Sequence, residues 1–152
     1  MIGDVVDHID HLTDLLDRIR AAAPWAEVTV HDPSADIDAA TRAACASGAD
    51  FIAIAGGDGT ASAVLDAARR VDCASIMIPL PLGTANMLPR RLYAERGFET
   101  VLAEIPGYRQ INLHAGQAAG HVFYVALMAG SPVRFGQARE ALRPDPRGRR
   151  LG

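Results

Sequence analysis

Apolar residues recur at helical spacing near the start of the chain, where Val5, Val6, Ile9, Leu12, Leu15, Leu16 and Ile19 lie three or four apart. That pattern predicts an amphipathic helix over residues 4–23, ended by Pro24. AEVTVH at 26–31 reads as a strand. DPSADIDAATRAACASGAD then reads as a turn, a helix with Ser34 as its N-cap, and a stop at Gly48. FIAIA at 51–55 shows no polar alternation, the signature of a central parallel strand covered on both faces. A helix is predicted over 61–70, a second buried strand at SIMIPL, and helical segments across 86–104. After Pro106 the texture changes: YRQINLHAG and HVFYVALMAG, joined by a polar turn containing glycine, read as antiparallel strands. From Ser131 onward the periodicity gives way to an Arg- and Pro-rich segment, and no internal repeat is visible.

Repeated strand–helix alternation implies an α/β fold, a layered parallel sheet with helices on both faces, with short antiparallel strands at the C-terminal end. The expected organisation is an α/β domain over 1–109, the start of a β-rich domain over 110–130, and a tail or remainder over 131–152. With 152 residues, 49% of them hydrophobic, the chain has enough apolar material to bury a core. A net charge of −3 gives no reason to expect a nucleic-acid partner, and no apolar run approaches the length of a membrane span. Asp4, Asp7 and Asp10 interrupt any signal-peptide core. The chain therefore reads as soluble and cytoplasmic, and its two cysteines, Cys45 and Cys73, as reduced core thiols rather than a disulfide.

Two glycine loops follow the two predicted central strands, at the strand ends where parallel sheets bind ligands. In the first, Gly56, Gly57 and Gly59 allow backbone N–H groups to approach a phosphate, and the helix that follows offers its positive end. Asp58 is the odd member. A carboxylate beside phosphates repels them unless a cation or a ligand hydroxyl intervenes, which points to Mg²⁺ or to a ribose or acceptor hydroxyl and makes Asp58 the candidate catalytic residue. Thr60 is placed to cap the helix or to donate to a phosphate oxygen, and Ser62 follows along the same helix. An ordinary tight turn between strand and helix is the alternative for this loop alone.

GGDGT after a buried strand, followed after a helix and a strand by PLGTAN and MLPRRL, resembles the catalytic domain of the diacylglycerol kinase and lipid kinase family. The first motif is shared with NAD kinases; the second, with IPGYRQINL, points to the lipid kinases. The resemblance spans roughly residues 4–130. It implies that residues Gly56 to Thr60 line ATP phosphates, that Gly83 and Thr84 contact the nucleotide, and that Asn86 borders the same cleft. It also implies ATP and Mg²⁺ as cofactors and a lipid such as diacylglycerol as the acceptor of the γ-phosphoryl group.

The departures from the family pattern concern function more than fold. The chain begins at the first helix, without the strand and Asn-Pro turn with which the family usually opens. Asn86-Met87 stands where many members have Asn-Asp, Ile111-Asn112-Leu113 stands for Ile-Asp-Leu, and Gly130-Ser131-Pro132 stands for Gly-Phe-Asp. The family's β-rich second domain, which supplies the base and much of the lipid site, would begin near residue 110 and is expected to be almost wholly absent from these residues. Expected alternatives are a truncated, inactive nucleotide-binding module or an NAD kinase-like enzyme, and the chain assayed alone is expected to lack lipid kinase activity.

Other features take plainer readings. His8 and His11 share a helix without a third ligand, so no metal site is expected. Arg143, Arg147, Arg149 and Arg150 read as a solvated tail, with peripheral contact to an anionic membrane as the alternative. Arg90 and Arg91 either steer phosphate or solvate a helix. HVFYVALMA, left as an edge strand, is expected to promote homo-oligomers.

Overall fold

The computed structural model describes residues 3–30, 36–118 and 121–125. Ser34, the arginines after residue 140 and the segment 126–152 lie outside the described residues, as do the expectations placed on them. Element order is α1 (Gly3–Ala22), α2 (Ile37–Ala46), β1 (Phe51–Gly56), α3 (Asp58–Arg70), β2 (Ile76–Pro81), α4 (Met87–Tyr93), α5 (Phe98–Glu104), a 3₁₀ turn (Ile105–Gly107), β3 (Gly116–Ala118) and β4 (His121–Phe123). Among the described residues no helix is long and apolar enough to cross a membrane.

β1 and β2 form a parallel pair with Phe51 opposite Ile76, Ile54 opposite Pro79 and Gly56 opposite Pro81. Because side chains alternate across a strand, this register separates two clusters. On one face Ile78 and Leu80 pack with Ile19 and Ala23 at the end of α1, with Phe98, Val101 and Leu102 of α5, and with Ile105. On the other, Ile54 packs with Ala61 of α3 and Leu88 of α4. The fold is thus mixed α/β, with helices on both faces of a two-stranded parallel sheet and a short antiparallel pair, Gly116 opposite Phe123.

β2 contains two prolines, which lack the N–H that a ladder requires. The Ile76 amide donates to Asp50 O across the pair (2.9 Å), so residues 76, 78 and 80 turn their polar groups toward β1. Pro79 and Pro81 therefore fall on the outer side of β2, where their missing donors cost the pair nothing.

Several sequence expectations are corrected here. β1 is not covered on both faces: Ala53 and Ala55 are exposed, because the layer of α1 and α5 lies over β2. Residues 27–30 are not in a strand; their alternation serves instead to pack Val28 on the first cluster while Val30 stays exposed, since a strand needs a hydrogen-bonded neighbour as well as a pattern. The strand expected from 108 begins only at Gly116. α2 is capped by Asp36, whose Oδ1 accepts from Asp38 N (2.9 Å) and Ala39 N (3.3 Å).

The cysteines are also corrected. Cys45, at the end of α2, and Cys73, after α3, form a disulfide with their Cα atoms 5.5 Å apart. Packing of α2 on α3 brings them together, and Arg70 Nη2 to Asp38 Oδ1 (2.6 Å) ties the same two helices. Within the layer formed by α1 and α5, Arg18 of α1 pairs with Glu99 of α5 and lies over the Phe98 ring at 4.9 Å. Burial pushes the Glu99 carboxyl up, but the Arg18 hydrogen bond, a hydrogen bond from its own backbone amide and the Arg18 charge together outweigh it and hold the group below its ordinary value.

Candidate functional site

β1 ends at Gly56 and α3 begins at Asp58, so the whole strand-to-helix turn is one residue, Gly57, in extended conformation with no side-chain cap. The first amides of a helix have no acceptor within it. At α3 these are the N–H groups of Asp58, Gly59 and Thr60, at the positive end of a 13-residue helix. A Cβ at Gly56 would fall 2.8 Å from Thr60 Cβ, so Thr60 folds back against the strand end and Gly56 is required for the turn itself. Gly59 differs. A Cβ there would meet nothing within 4 Å, so no atom of the described chain asks for glycine at that position.

The second loop leaves the sheet beside the first because Gly56 and Pro81 are in register. A Cβ on Gly83 would lie 2.6 Å from Gly57 Cα, so the two loops touch backbone to backbone. Asn86 holds a left-handed conformation (φ 50, ψ 38), one that Asn tolerates better than most residues. Its Oδ1 accepts from the Gly83 amide at 2.7 Å and closes the loop on itself. Asp58 bridges the two loops. Its Oδ2 accepts from Met87 N (3.0 Å) and its Oδ1 from Leu88 N (2.9 Å). It thereby caps α4 from a residue nearly thirty positions earlier.

The structure therefore joins Gly56, Gly57, Asp58, Gly83 and Asn86 into one unit, with Gly59 and Thr60 exposed on its α3 side. Thr84 is exposed in the second loop, and Ser62 lies half-buried further along α3. Sequence reasoning missed the Met87 and Leu88 amides as partners of Asp58. No sequence signal points to them: Asn86 at the start of α4 is itself a favoured N-cap residue, and only in the structure does its Oδ1 accept from Gly83 N instead, leaving the first amides of α4 to Asp58. Arg90 pairs with Glu95 (3.4 Å) and Arg91 is exposed. Glu104 pairs with Arg96, completing with Glu95 and Glu99 a set of three carboxylates each facing an arginine.

What can this arrangement hold? For phosphate the residues fit: uncapped helix amides, a glycine with open space above it, and a second backbone loop alongside. For a resident metal ion they do not. Among the described residues no three His, Cys, Asp or Glu side chains gather as a site, and both oxygens of Asp58 are already bonded to amides. Two shallow grooves elsewhere, one lined by Arg96, Glu104 and Tyr108 and one by Cys45, Phe51 and Gln110, include no residue of the glycine loops. The first is occupied by its own ion pair and by Tyr108, whose ring stacks on Tyr93 at 5.7 Å.

No curated protein and no solved structure matches the chain. The sequence model of the diacylglycerol kinase catalytic domain matches residues 7–118, well over half of it, and that span contains both glycine loops and the Asp58 bridge. The chain belongs to the diacylglycerol kinase catalytic domain family.

Proposed function

We propose that the paired glycine loops bind the phosphates of ATP and that the family reaction, transfer of its γ-phosphoryl group to the hydroxyl of a lipid such as diacylglycerol, takes place beside them. One observation carries the reading: Gly59 stands in the first turn of α3, where a side chain would meet no atom of the described chain, next to amides that lack acceptors. Glycine inside a helix is disfavoured relative to alanine by roughly 0.5–1 kcal/mol, so its presence makes sense if a ligand approaches the backbone there. In this reading the amides of residues 58–60 face the phosphates, Gly56 and Gly57 make the turn, Thr60 and Ser62 line its helix side, and Gly83, Thr84 and Asn86 form the opposite wall. Asp58 sits at the junction of the two. Mg²⁺ travels with the nucleotide, held chiefly by phosphate oxygens.

A second reading, a nucleotide-binding module without transfer, is favoured by one set of observations. Transfer to a hydroxyl requires a base within hydrogen-bond reach of the nucleophile. Glu95, Glu99 and Glu104 each face an arginine, Asn112 carries no charge, and Asp58 is engaged with α4. The expectation for this chain by itself is ATP binding without phosphorylation of lipid. Isothermal titration with Mg²⁺ and ATP, followed by transfer of labelled phosphate to diacylglycerol in mixed micelles, separates the two readings. Absence of ATP binding overturns both, and labelled lipid overturns the second.

A further inference from the structure

An acidic residue inside a phosphate-facing loop is electrostatically awkward, and the geometry of Asp58 shows where its charge goes. Its two oxygens accept from the first two amides of α4, at 3.0 Å and 2.9 Å. The N-terminus of a helix carries partial positive charge, so the carboxylate is offset by protein dipole. α4 is anchored below by Leu88, which is 1% exposed and packs with Ile54 and Ala61, and by the buried Pro89. It continues directly from Asn86, whose side chain holds the Gly83 amide, and Gly83 in turn abuts Gly57, the residue before Asp58. The contacts form a closed circuit: Asp58, α4, Asn86, Gly83, Gly57 and back to Asp58.

We infer that Asp58 is a positioning residue. It acts through α4 to hold the 82–86 loop against the start of α3, and does not itself ligate a metal ion or take the proton of an acceptor hydroxyl. Turning the carboxylate away from α4 toward a cation or hydroxyl would release two charge-assisted bonds, one to an exposed amide and one to a part-buried amide, and loosen the wall of the site that α4 supports. The assignment rests on the nucleotide reading of the two loops and deepens it.

The test uses the full chain and two variants. Asp58→Asn keeps shape but places an NH₂ group where one oxygen accepted an amide. Asn86→Gly keeps the left-handed conformation but removes the acceptor for Gly83 N, leaving the carboxylate untouched. Two quantities are measured: hydrogen exchange at the Met87 and Leu88 amides, and the ATP dissociation constant by titration calorimetry, once in excess EDTA and once in Mg²⁺. Asp58→Asn is expected to speed exchange at the two amides and to weaken ATP binding about tenfold, the scale of one charge-assisted hydrogen bond, by the same factor with and without Mg²⁺. Asn86→Gly is expected to weaken binding in the same metal-independent way, and the double variant to lose less than the product of the two factors, because both act through one element. Weakening confined to the Mg²⁺ titration overturns the assignment and gives Asp58 to the metal. Unchanged amide exchange in a folded Asp58→Asn variant overturns it as well. Should that variant fail to fold, Asn86→Gly decides alone: metal-independent weakening supports the assignment, and unaltered binding overturns it. If the wild-type chain binds no ATP under either condition, the nucleotide reading fails and this inference with it, whereas intact ATP binding with any of the adverse results removes this inference only.

Discussion

Replacing Gly59 by alanine should make the protein more stable and worse at binding, a combination that only an externally facing glycine produces. A Cβ at this position meets no atom within 4 Å, so the new methyl group costs no packing. Alanine also has fewer unfolded conformations to lose, and the substitution in a compatible helical position contributes roughly 0.4–1 kcal/mol. For a chain of this size that corresponds to an increase of about 1–4 °C in melting temperature. The same methyl group stands where phosphate oxygens would approach the amides of residues 58–60, and a loss of at least about tenfold in ATP affinity, roughly 1.4 kcal/mol, is expected. Gly83→Ala supplies the contrast: its Cβ would lie 2.6 Å from Gly57 Cα, backbone against backbone, so overpacking should cost about 1–3 kcal/mol and lower the melting temperature. Gly57→Ala, whose Cβ finds Gly83 Cα at an ordinary 3.7 Å, should fold normally. Circular-dichroism melts and isothermal titration on the three variants measure both quantities. A Gly59→Ala protein that melts lower, or that binds ATP as the wild type does, refutes the argument that open space at this glycine marks a ligand.

Three further outcomes follow from the fold. Reducing the Cys45–Cys73 disulfide, or replacing Cys45 by serine, opens a loop whose ends are 28 residues apart; the chain-entropy account makes that worth about 3.5 kcal/mol, and a melt that is the same with and without dithiothreitol would show that the bond does not form. Ala94 follows α4 at φ 58 and ψ −132, a region that strains any residue with a Cβ, so Ala94→Gly should raise stability by about 1 kcal/mol in urea unfolding, and a drop would contradict the strain. Burial, helped by the charge of Tyr108, pushes the Tyr93 hydroxyl up to about 12; its contribution to stability is complete below pH 10 and is lost as pH rises from there toward 12, so Tyr93→Phe should flatten the alkaline decline in stability, and an unchanged decline would remove Tyr93 as its source.

Local order was legible in the sequence wherever its cause is local. Ile19 and its neighbours repeat at the helical period, so α1 was predicted within a residue of its observed ends. The apolar runs at 51–55 and 75–80 marked β1 and β2 because short apolar runs bounded by turn residues favour strands, although Ala53 and Ala55 leave one face of β1 exposed. The two glycine loops were visible for the same reason: glycine permits backbone approach wherever it stands. Tertiary structure decided what depends on partners distant along the chain. AEVTVH has the alternation of a strand, yet 27–30 are not in one among the described residues, because strand pairing is a property of two segments. The cysteines lie 28 residues apart, and only the packing of α2 on α3 sets them at bonding distance. Asp58 shows the division most sharply. Its place among the glycines of the first loop was evident from GGDGT, but a carboxylate has no direction in a sequence, and its turn toward the amides of Met87 and Leu88 follows from the parallel register of β1 and β2, which sets the first turn of α3 beside the start of α4.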